Sequence, residues 1–321
     1  MNYAIIATLG PVSQAEATWQ AMLRAGASAF RLNTSHLSLD QLAVWLERYQ
    51  ACFGASPVPL VLDLQGSKWR LGQFTTFELA AGQSIRLISA PSIDQPAVLP
   101  VPHADFFRAA PLSSGEIVLN DAKIVLALEA SGEDWLSARV IRGGEISSHK
   151  GITFTASEHR VEALSAKDRA ILASTRDLPG VSYAISYIRD ATEMAHYRDL
   201  IPDSRLIAKL ERGPAVADAR QIAGLADEVW LCRGDLGAEL GLKEMAAAVA
   251  QFTSQLSGLS VPAVMAGQVL EHMTAHPTPT RSEVCYLYDT LASGYSGIVL
   301  SDETATGRYP VESCQAAAMF R

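Results

Sequence analysis

The chain has 321 residues, of which 49% are hydrophobic and 19% are charged. This much apolar material can bury a large core, which excludes an intrinsically disordered protein. The 34 acidic and 26 basic residues give a formal net charge of −8, so we expect no nucleic-acid binding through bulk charge, although a local basic cleft could still receive a small anionic substrate.

Signals for targeting and for redox chemistry are absent from the sequence. The N-terminal residues lack the basic stretch and the apolar run of a signal peptide, and we expect no membrane-spanning helix, which needs about 18 or more apolar residues in a row. The four cysteines form no C-x-x-C pair, which argues against a zinc ribbon or a redox dithiol. Such cysteine usage is typical of a reducing compartment, and the predicted location is cytoplasmic.

Short apolar runs alternate with amphipathic stretches in the first part of the chain. Residues 4–9, 29–32 and 60–64 are strand-like, and residues 13–25 and 38–52 are predicted to be helical. Ser13 and Glu16 have the spacing of a capping box, and Ser38 is a candidate N-cap. The alternation is typical of βα units that form a parallel sheet.

The alternation stops between residues 66 and 150, where the pattern predicts no long helix. Five β-rich pieces occur there, and Gly, Pro, Ser and Asp separate them: 69–72, 84–88, 116–119, 123–128 and 135–141. This pattern predicts a small all-β domain inserted at residues 66–151.

The alternation of strands and helices resumes at residue 165. Strands are predicted at 181–186, 205–210, 228–232, 261–266 and 297–301. Helices are predicted at 165–175, 191–200, 213–225, 243–256, 281–292 and 311–320. With the three earlier strands, this makes eight βα units, so we expect a (β/α)8 barrel at residues 1–65 and 152–321 with the β domain inserted after strand 3.

Polar side chains stand at or just beyond the carboxyl ends of the predicted strands, where such barrels carry their active sites. They are Arg31 to His36 after strand 2, Asp63 after strand 3, Ser186 after strand 4, Lys209 and Glu211 after strand 5, Arg233 to Asp235 after strand 6 and Ser301 to Thr304 after strand 8. Complementary charges at neighbouring strand ends favour a binding site over a set of unrelated surface residues.

The charged residues among them suggest phosphoryl chemistry. Lys209 and Glu211 are two positions apart, so they point to one face of an extended segment. With Asp235 from the next strand, Glu211 could hold Mg²⁺, which usually binds one or two carboxylates together with substrate oxygens and water. Arg31 and Lys209 would bring positive charge to a phosphate or a carboxylate. A metal, cationic groups and fixed orientation are what phosphoryl transfer requires.

Seven motifs, in order along nearly the whole chain, resemble those of the pyruvate kinase family. Residues 31–36 (RLNTSH) resemble R-L-N-F-S-H, residues 62–70 (LDLQGSKWR) resemble L-D-T-K-G-P-E-I-R, and residues 207–211 (IAKLE) resemble I-A-K-I-E. Residues 233–237 match R-G-D-L-G, residues 279–283 (PTRSE) resemble P-T-R-A-E, and residues 301–310 (SDETATGRYP) resemble S-G-E-T-A-x-G-x-Y-P. Lys150 and Gly151 stand where the family's K-G returns the chain from its small β domain.

The resemblance implies a role for each matching residue. Mg²⁺ or Mn²⁺ would be bound by Glu211 and Asp235. Phosphoenolpyruvate, pyruvate or a related 2-oxo acid would meet Arg31, Lys209, the backbone of Gly234, Asp235, Ser186 and Gly267, with Lys209 and Arg31 as the catalytic residues. K⁺ would be held by Asn33, Ser35, Asp63 and the carbonyl of Leu64. ADP or ATP would face Arg70, Lys150 and His36, and Lys150 would approach when the β domain closes as a lid.

The sequence also departs from the family pattern. Gly267 replaces the threonine of the family's A-T-Q-M-L, whose hydroxyl contacts substrate and assists the proton step. Gln65 and Lys68 replace the lysine and the glutamate of T-K-G-P-E, and Lys68 reverses a charge at the edge of the cleft. The chain stops at Arg321, so we expect it to lack the family's C-terminal domain. The oligomeric state, a homo-oligomer included, and any effector therefore stay open.

Three functions are compatible with these residues. The first is a pyruvate kinase-like phosphotransferase that uses ADP or ATP. The second is a Mg²⁺-dependent lyase or decarboxylase that acts on a 2-oxo acid through an enolate, without nucleotide. The third is a non-catalytic ligand-binding regulatory protein, against which the retained carboxylates argue. Nucleotide binding would separate the first function from the second, and Mg²⁺ binding would separate both from the third.

Two weaker signals remain. His272 and His276 have an i, i+4 spacing that can bind a metal, but no H-E-x-x-H motif is present, so an ordinary helix surface is the favoured interpretation. Cys232 stands beside Arg233 and could be an activated thiol, but packing as a small apolar residue is favoured.

Overall fold

Eight parallel strands close into a barrel, as the alternation of strands and helices predicts. In chain order the barrel strands are Ala4–Leu9, Ala29–Asn33, Leu60–Leu64, Val181–Ile185, Arg205–Leu210, Glu228–Cys232, Ala263–Ala266 and Gly297–Leu300. Consecutive strands pair with each other, and strand 1 pairs with strand 8, with Ala4 opposite Gly297. The prediction of a (β/α)8 barrel interrupted after strand 3 is therefore confirmed.

The computed structural model describes residues 1–54, 56–113, 115–120, 123–155 and 164–321. Within these residues the chain divides into two units. The first contains Met1–Gln65, Ala166–Arg233 and Ala247–Arg321, and the second contains Gly66–Ser165 and Gly234–Ala246. None of the helices in the described part of the chain combines the length and the apolar character that a membrane crossing requires.

Helices connect the barrel strands. The α-helices are Glu16–Arg24, Leu39–Phe53, Ala166–Thr175, Ala191–Leu200, Gly213–Ala217, Ala219–Ala223, Arg233–Leu240, Leu242–Ser254, Arg281–Ala292, Asp302–Ala305 and Pro310–Ala317. Short 3₁₀ turns cover Pro11–Ser13, Thr34–His36, Leu256–Gly258 and Glu271–Thr274. The predicted helix over 213–225 is in fact two short helices that meet at Asp218.

Local capping chemistry explains where several helices begin. Ser38 caps its helix as predicted, because its hydroxyl accepts from the amide of Gln41 at 3.1 Å. Thr280 and Glu283 of the P-T-R-S-E motif form a reciprocal capping box at the start of Arg281–Ala292. The predicted cap at Ser13 is wrong: Ser13 ends a 3₁₀ turn, where its Oγ accepts from the amide of Gly10, and the α-helix begins at Glu16.

The second unit contains a β domain, as predicted. Its strands are Phe77–Leu79, Ser84–Ile88, Val98–Pro100, Glu116–Leu119, Ile124–Ser131, Trp135–Arg142, Gly144–Ile146 and Ile152–Phe154. Six of them form one sheet, and Phe77–Leu79 pairs separately with Gly144–Ile146. The domain also carries a short helix, Ala104–Ala109, followed by the 3₁₀ turn Ala110–Leu112. Its core is a cluster of buried aromatic and aliphatic side chains around Trp69 and Phe106.

The barrel interior is filled by apolar side chains from all eight strands, most of them small or branched, together with the indole of Trp230. The buried members of this cluster are Ile6, Ala29, Val61, Ala184, Ile207, Trp230, Cys232, Val264, Ala266 and Val299. A filled interior means that a ligand cannot enter the barrel and must bind at one of its ends.

Candidate active site

A ring of polar side chains lies at the carboxyl ends of the barrel strands. Side chains of a strand alternate between its two faces, so positions two apart share a face. The apolar cluster inside the barrel includes Ala29, Val61, Ala184 and Ile207. Two positions further along the same strands stand Arg31, Asp63, Ser186 and Lys209. The polar ring is thus the layer that follows the apolar core toward the end of the barrel that carries catalysis in this fold.

Asp63 is the shared acceptor of the ring. Its Oδ2 accepts from Arg31 Nε at 2.7 Å, and its Oδ1 accepts from Ser186 Oγ at 3.0 Å and from Lys209 Nζ at 3.1 Å. Arg31 also donates from Nη1 to Thr8 Oγ1 at 3.0 Å. The structure therefore joins Arg31 and Lys209, which are predicted to act on the substrate, with Asp63, which is predicted to bind K⁺, in one buried network.

Burial and charge act on these groups in opposite directions. Burial alone raises the pKa of the Asp63 carboxyl, but the charges of Lys209 and Arg31 outweigh it and hold this pKa well below its ordinary value. Burial lowers the pKa of the Lys209 ammonium, but Asp63 and Glu211 outweigh it and raise the pKa above its ordinary value. The pKa of Arg31 is raised in the same way, with burial opposing and Asp63 prevailing. All three groups therefore stay charged around neutral pH.

Glu211 contributes a second carboxylate beside Lys209. Its Oε1 is 2.9 Å from Lys209 Nζ, and its Oε2 accepts from the amide of Tyr187 at 2.8 Å. Tyr187 has a φ of 65°, in the left-handed region that bulky residues rarely adopt. The strained backbone directs this amide at the carboxylate, so Tyr187 is a residue of the site that the sequence analysis missed.

The donor chemistry of this carboxylate fits a divalent cation. Carboxylate oxygen is a hard ligand of the kind that Mg²⁺ prefers. Within the described residues, no group of three or more His, Cys, Asp or Glu side chains is arranged to hold a metal ion. Mg²⁺ usually binds one or two carboxylates and completes its coordination with substrate oxygens and water.

The residues predicted for K⁺ lie at the ends of strands 2 and 3. Asn33 is paired with Asp63 in the sheet, and the Asn33 side chain accepts from the amide of Ser35 at 3.2 Å. Leu64 ends strand 3 and is fully buried. Thr34, which the sequence analysis did not single out, fastens this turn, because its hydroxyl donates to the Asp63 carbonyl at 2.7 Å. His36 is exposed at the end of the same turn.

Gly267 directly follows strand 7 and has a φ of 89°. The segment behind it is fastened to the end of strand 8, since the fully buried Glu303 accepts from the amide of Leu270 at 3.0 Å and from that of Ser301 at 2.7 Å. Burial raises the pKa of the Glu303 carboxyl. Glu303 of the S-D-E-T-A motif is thus a structural link between two strand ends.

The other predicted site residues belong to the second unit. Gly234 and Asp235 lie in the first turn of the helix Arg233–Leu240. Arg70 forms an isolated bridge with Gly151, and its Nη1 donates to the carbonyl of His149 at 2.8 Å. The carbonyl of Lys150 accepts from the amide of Leu71 at 2.9 Å. Arg70 and Lys150 therefore lie on two adjoining segments of the β domain.

The two weaker sequence signals, the pair His272 and His276 and the thiol of Cys232, mark neither a metal site nor a reactive cysteine. The imidazoles of His272 and His276 stack 3.8 Å apart with an angle of 1° between their planes, so their in-plane lone pairs run parallel and do not converge on a metal. Burial raises the pKa of the Cys232 thiol well above its ordinary value, and Glu211 adds to this rise. Cys232 packs with the apolar cluster of the barrel and is not an activated thiol.

Comparison with known proteins agrees with this geometry. The family profile described as "Pyruvate kinase, barrel domain" matches residues 1–314. A pyruvate kinase of Methylorubrum extorquens is 32% identical over 314 residues, which cover 96% of this chain and 66% of that protein. Pyruvate kinase 2 of a Synechocystis strain is 32% identical over 323 residues, which cover 96% of this chain and 54% of that protein. A pyruvate kinase of Thermococcus litoralis is 30% identical over 323 residues, which cover 98% of this chain and 68% of that protein.

A solved structure shares the fold. The crystal structure of a pyruvate kinase from Cryptosporidium parvum superimposes with a TM-score of 0.83 at 22% sequence identity, and the alignment covers 99% of this chain and 68% of that one. The chain spans about half to two thirds of the length of the curated relatives compared above.

Proposed function

Because this chain belongs to the pyruvate kinase family, we propose that it catalyses Mg²⁺-dependent phosphoryl transfer between a nucleotide and an enolate. The nucleotide is ADP or ATP, and the enolate is that of pyruvate or of a related 2-oxo acid, with phosphoenolpyruvate as the phosphorylated form. The observation that carries the proposal is the buried ammonium of Lys209, held between the carboxylates of Asp63 and Glu211.

Lys209 is suited to stabilise the transition state of this reaction. When the phosphoryl group leaves the enol oxygen, negative charge develops on the phosphoryl oxygens and on the enolate. The Lys209 side chain is only 9% exposed, and its raised pKa keeps it protonated. A fixed positive charge in a site that excludes water stabilises such developing charge far more than a solvated lysine would.

Arg31 is suited to hold the phosphate or the carboxylate of the substrate. Asp63 fixes the guanidinium through Nε and Nη2, and Thr8 fixes it through Nη1. A planar guanidinium that is already oriented loses little conformational freedom when it binds an oxyanion. In the proposal, Ser186 supports Lys209 through the 2.9 Å contact between its Oγ and Nζ, and the backbones of Gly234 and Gly267 complete the substrate site.

The proposed cofactors are metal ions that prefer oxygen ligands, because the side chains proposed to bind them offer oxygen atoms. Glu211 would hold Mg²⁺ or Mn²⁺, and Asp235 is proposed as the second ligand on the strength of the R-G-D-L-G motif. When bound, Mg²⁺ would supply charge neutralisation for the transferred phosphoryl group. K⁺ is proposed at Asn33, Ser35, Asp63 and the carbonyl of Leu64, a set made only of oxygen donors. Arg70, Lys150 and His36 are proposed to face the nucleotide.

Gly267 supports a second candidate, a Mg²⁺-dependent lyase or decarboxylase that acts on a 2-oxo acid. A glycine presents no hydroxyl to assist protonation of an enolate, and it leaves room for a substrate larger than pyruvate. Lys209 and Glu211 would stabilise the enolate in that reaction as well, but no nucleotide would be needed.

The test is release of pyruvate from phosphoenolpyruvate and ADP in the presence of Mg²⁺ and K⁺. We expect turnover in the unaltered protein and a loss of about a hundred- to thousandfold in Lys209→Met, because one positioned charge in such a site contributes about two to three orders of magnitude. Lys243→Met is the matched control, since that side chain is 94% exposed, and it should retain full activity. Thermal unfolding of each variant establishes that it is folded.

The outcomes separate the candidates. Undiminished turnover in Lys209→Met would disprove the proposed role of Lys209 in stabilising the transition state. No turnover, together with Mg²⁺-dependent binding of 2-oxo acids but not of ADP, would favour the lyase. If Glu211→Gln leaves the affinity for Mg²⁺ unchanged, Glu211 is not a metal ligand.

A further inference from the structure

Arg233 occupies an unusual position between the ends of strands 6 and 7. Cys232 and Ala266, the last residues of those strands, are paired in the sheet, so Arg233 and Gly267 are the first residues beyond the paired region. Arg233 Nε donates to the Gly267 carbonyl at 3.0 Å, and Nη2 donates to the carbonyls of both Gly267 and Gln268, to the latter at 2.9 Å.

The backbone that Arg233 contacts is in a costly conformation. Gly267 has a φ of 89° and Gln268 a φ of 53°, so two consecutive residues lie in the left-handed region. Glycine adopts such angles freely, but glutamine does so at a cost of about 1 kcal/mol or more. Arg233 donates to the carbonyls of both residues and so helps to hold them in this conformation.

Tyr286 holds Arg233 from the other side. The guanidinium carbon lies 4.5 Å from the centroid of the Tyr286 ring, well within the range of a cation–π contact. Tyr286 stands on the helix Arg281–Ala292, which is fixed at its start by the capping box of Thr280 and Glu283. The helix Arg281–Ala292 thus positions Tyr286, and the Tyr286 ring positions the guanidinium of Arg233, which donates to the two carbonyls.

We infer that Arg233, supported by Tyr286, is a positioning residue that holds Gly267 and Gln268 in the conformation the substrate meets. The inference rests on the proposed function, in which Gly267 contributes backbone to the substrate site. Because residue 267 carries no side chain, its backbone alone defines the surface there, and a glycine that is not held would sample many conformations. The role of Arg233 depends on the shape of its guanidinium as well as on its charge. A lysine has the same charge but lacks the planar set of N–H donors that reaches two carbonyls.

The first test needs no substrate. Hydrogen exchange at the amides of residues 267–270 is compared in the unaltered chain and in Arg233→Lys. Loss of the charge-assisted hydrogen bonds should accelerate exchange in this segment by about tenfold or more, without a comparable change elsewhere in the barrel. Unchanged exchange would overturn the inference, whatever reaction the protein catalyses.

Two sets of variants separate the contributions. Tyr286→Leu removes the ring and should accelerate exchange at 267–270 by about threefold, whereas Tyr286→Phe keeps the ring and should not. Arg308→Lys is the matched control, because Arg308 also donates to a backbone carbonyl, that of Ala275, and lies over a tyrosine ring, that of Tyr309. It should leave exchange at 267–270 unchanged, and an effect as large as that of Arg233→Lys would mean that the response is not specific.

The second test links the conformation to the reaction. In Arg233→Lys we expect the KM for phosphoenolpyruvate to rise and kcat to fall, each by about tenfold, while the KM for ADP and the pH profile stay the same. If the lysine variant has normal kinetics although exchange at 267–270 is accelerated, the segment does not act on the substrate and the inference fails. If the unaltered protein has no phosphotransferase activity, the proposed function fails and the exchange experiment still decides whether Arg233 holds the segment.

Discussion

The ammonium of Lys68 lies 2.5 Å from Oδ1 of Asp235, and the two side chains are 9% and 15% exposed. Gly151 makes this contact feasible, because a Cβ at that position would lie 2.7 Å from Lys68 Cε. The carboxylate that the R-G-D-L-G motif assigns to a divalent cation therefore already has a positive charge at one of its oxygens. A metal that binds Asp235 has to bind beside this positive charge or displace it.

Removal of the Lys68 charge should therefore tighten metal binding. We expect Lys68→Met to lower the dissociation constant for Mn²⁺ by about three- to tenfold, because a positive charge next to a ligand opposes a cation. The measurement is a titration of free Mn²⁺ by electron paramagnetic resonance. Lys123→Met, an exposed lysine of the same unit, is the control and should match the unaltered chain. Equal Mn²⁺ affinity in all three proteins would show that Lys68 does not compete for the metal.

Asp63 should contribute strongly to stability as well as to the site. Asp63→Asn leaves Arg31 and Lys209 without their shared carboxylate, and we expect it to lower the free energy of unfolding by about 3 kcal/mol. Because the folded-state pKa of Asp63 is depressed, this contribution is complete above the ordinary carboxyl pKa of about 3.9 and is lost as the pH falls below it. The difference should therefore be the same at pH 8 and pH 5.5 and should shrink toward pH 3.

Urea unfolding at several pH values measures this difference. Asp203→Asn, at an exposed aspartate, serves as the control and should change stability little at any pH. A difference for Asp63→Asn that already declines between pH 8 and pH 5.5 would contradict the depressed pKa.

Gly297 should be needed where the barrel closes. A Cβ at this position would lie 2.7 Å from the carbonyl oxygen and 2.9 Å from the Cβ of Ala4. We expect Gly297→Ala to lower the free energy of unfolding by about 2 kcal/mol, because strands 1 and 8 would have to move apart. Gly82→Ala is the comparison: nothing lies within 4 Å of its Cβ, so it should cost only the strain of a φ of 84°, about 1 kcal/mol. A smaller loss for Gly297→Ala than for Gly82→Ala in urea unfolding would refute the steric argument.

The cysteines should differ sharply in reactivity. Cys285 is exposed, whereas Cys232 and Cys314 are buried, and burial raises the pKa of Cys314 to about 12. With Ellman's reagent at pH 7.5 we expect a fast phase that disappears in Cys285→Ser, and modification of Cys232 and Cys314 only on unfolding. Fast modification of Cys232 in the Cys285→Ser variant would restore the activated-thiol interpretation.

The sequence pattern predicted the barrel because strands buried on both faces are short apolar runs, whereas the helices between them are amphipathic. The polar residues at the predicted strand ends include Arg31, Asp63 and Lys209, which the structure brings together. The sequence pattern did not predict the 3₁₀ turn at Pro11–Ser13. The spacing of Ser13 and Glu16 is the same whether Ser13 caps an α-helix or ends a 3₁₀ turn.

Tyr187 was missed, and Arg233 was listed at a strand end but given no role, for a different reason. A left-handed φ at Tyr187 or Gln268 leaves no trace in residue type, unlike a glycine in a turn. The contact between Arg233 and the Gly267 carbonyl joins residues from two βα units, and no local pattern encodes it. Lys68 was recognised as a departure from the family, but its partner Asp235 became visible only in three dimensions.

The pairing of Ala4 with Gly297 has a consequence for the synthesis of the protein. On the ribosome, strand 1 emerges before the other barrel strands and can pair with strand 2, but its other edge stays open until strand 8 has been translated. An open hydrophobic strand edge is a template for association with other chains. A pause in translation before strand 8 should therefore keep the edge of strand 1 open for longer. During that time the unfinished barrel can aggregate or bind chaperones.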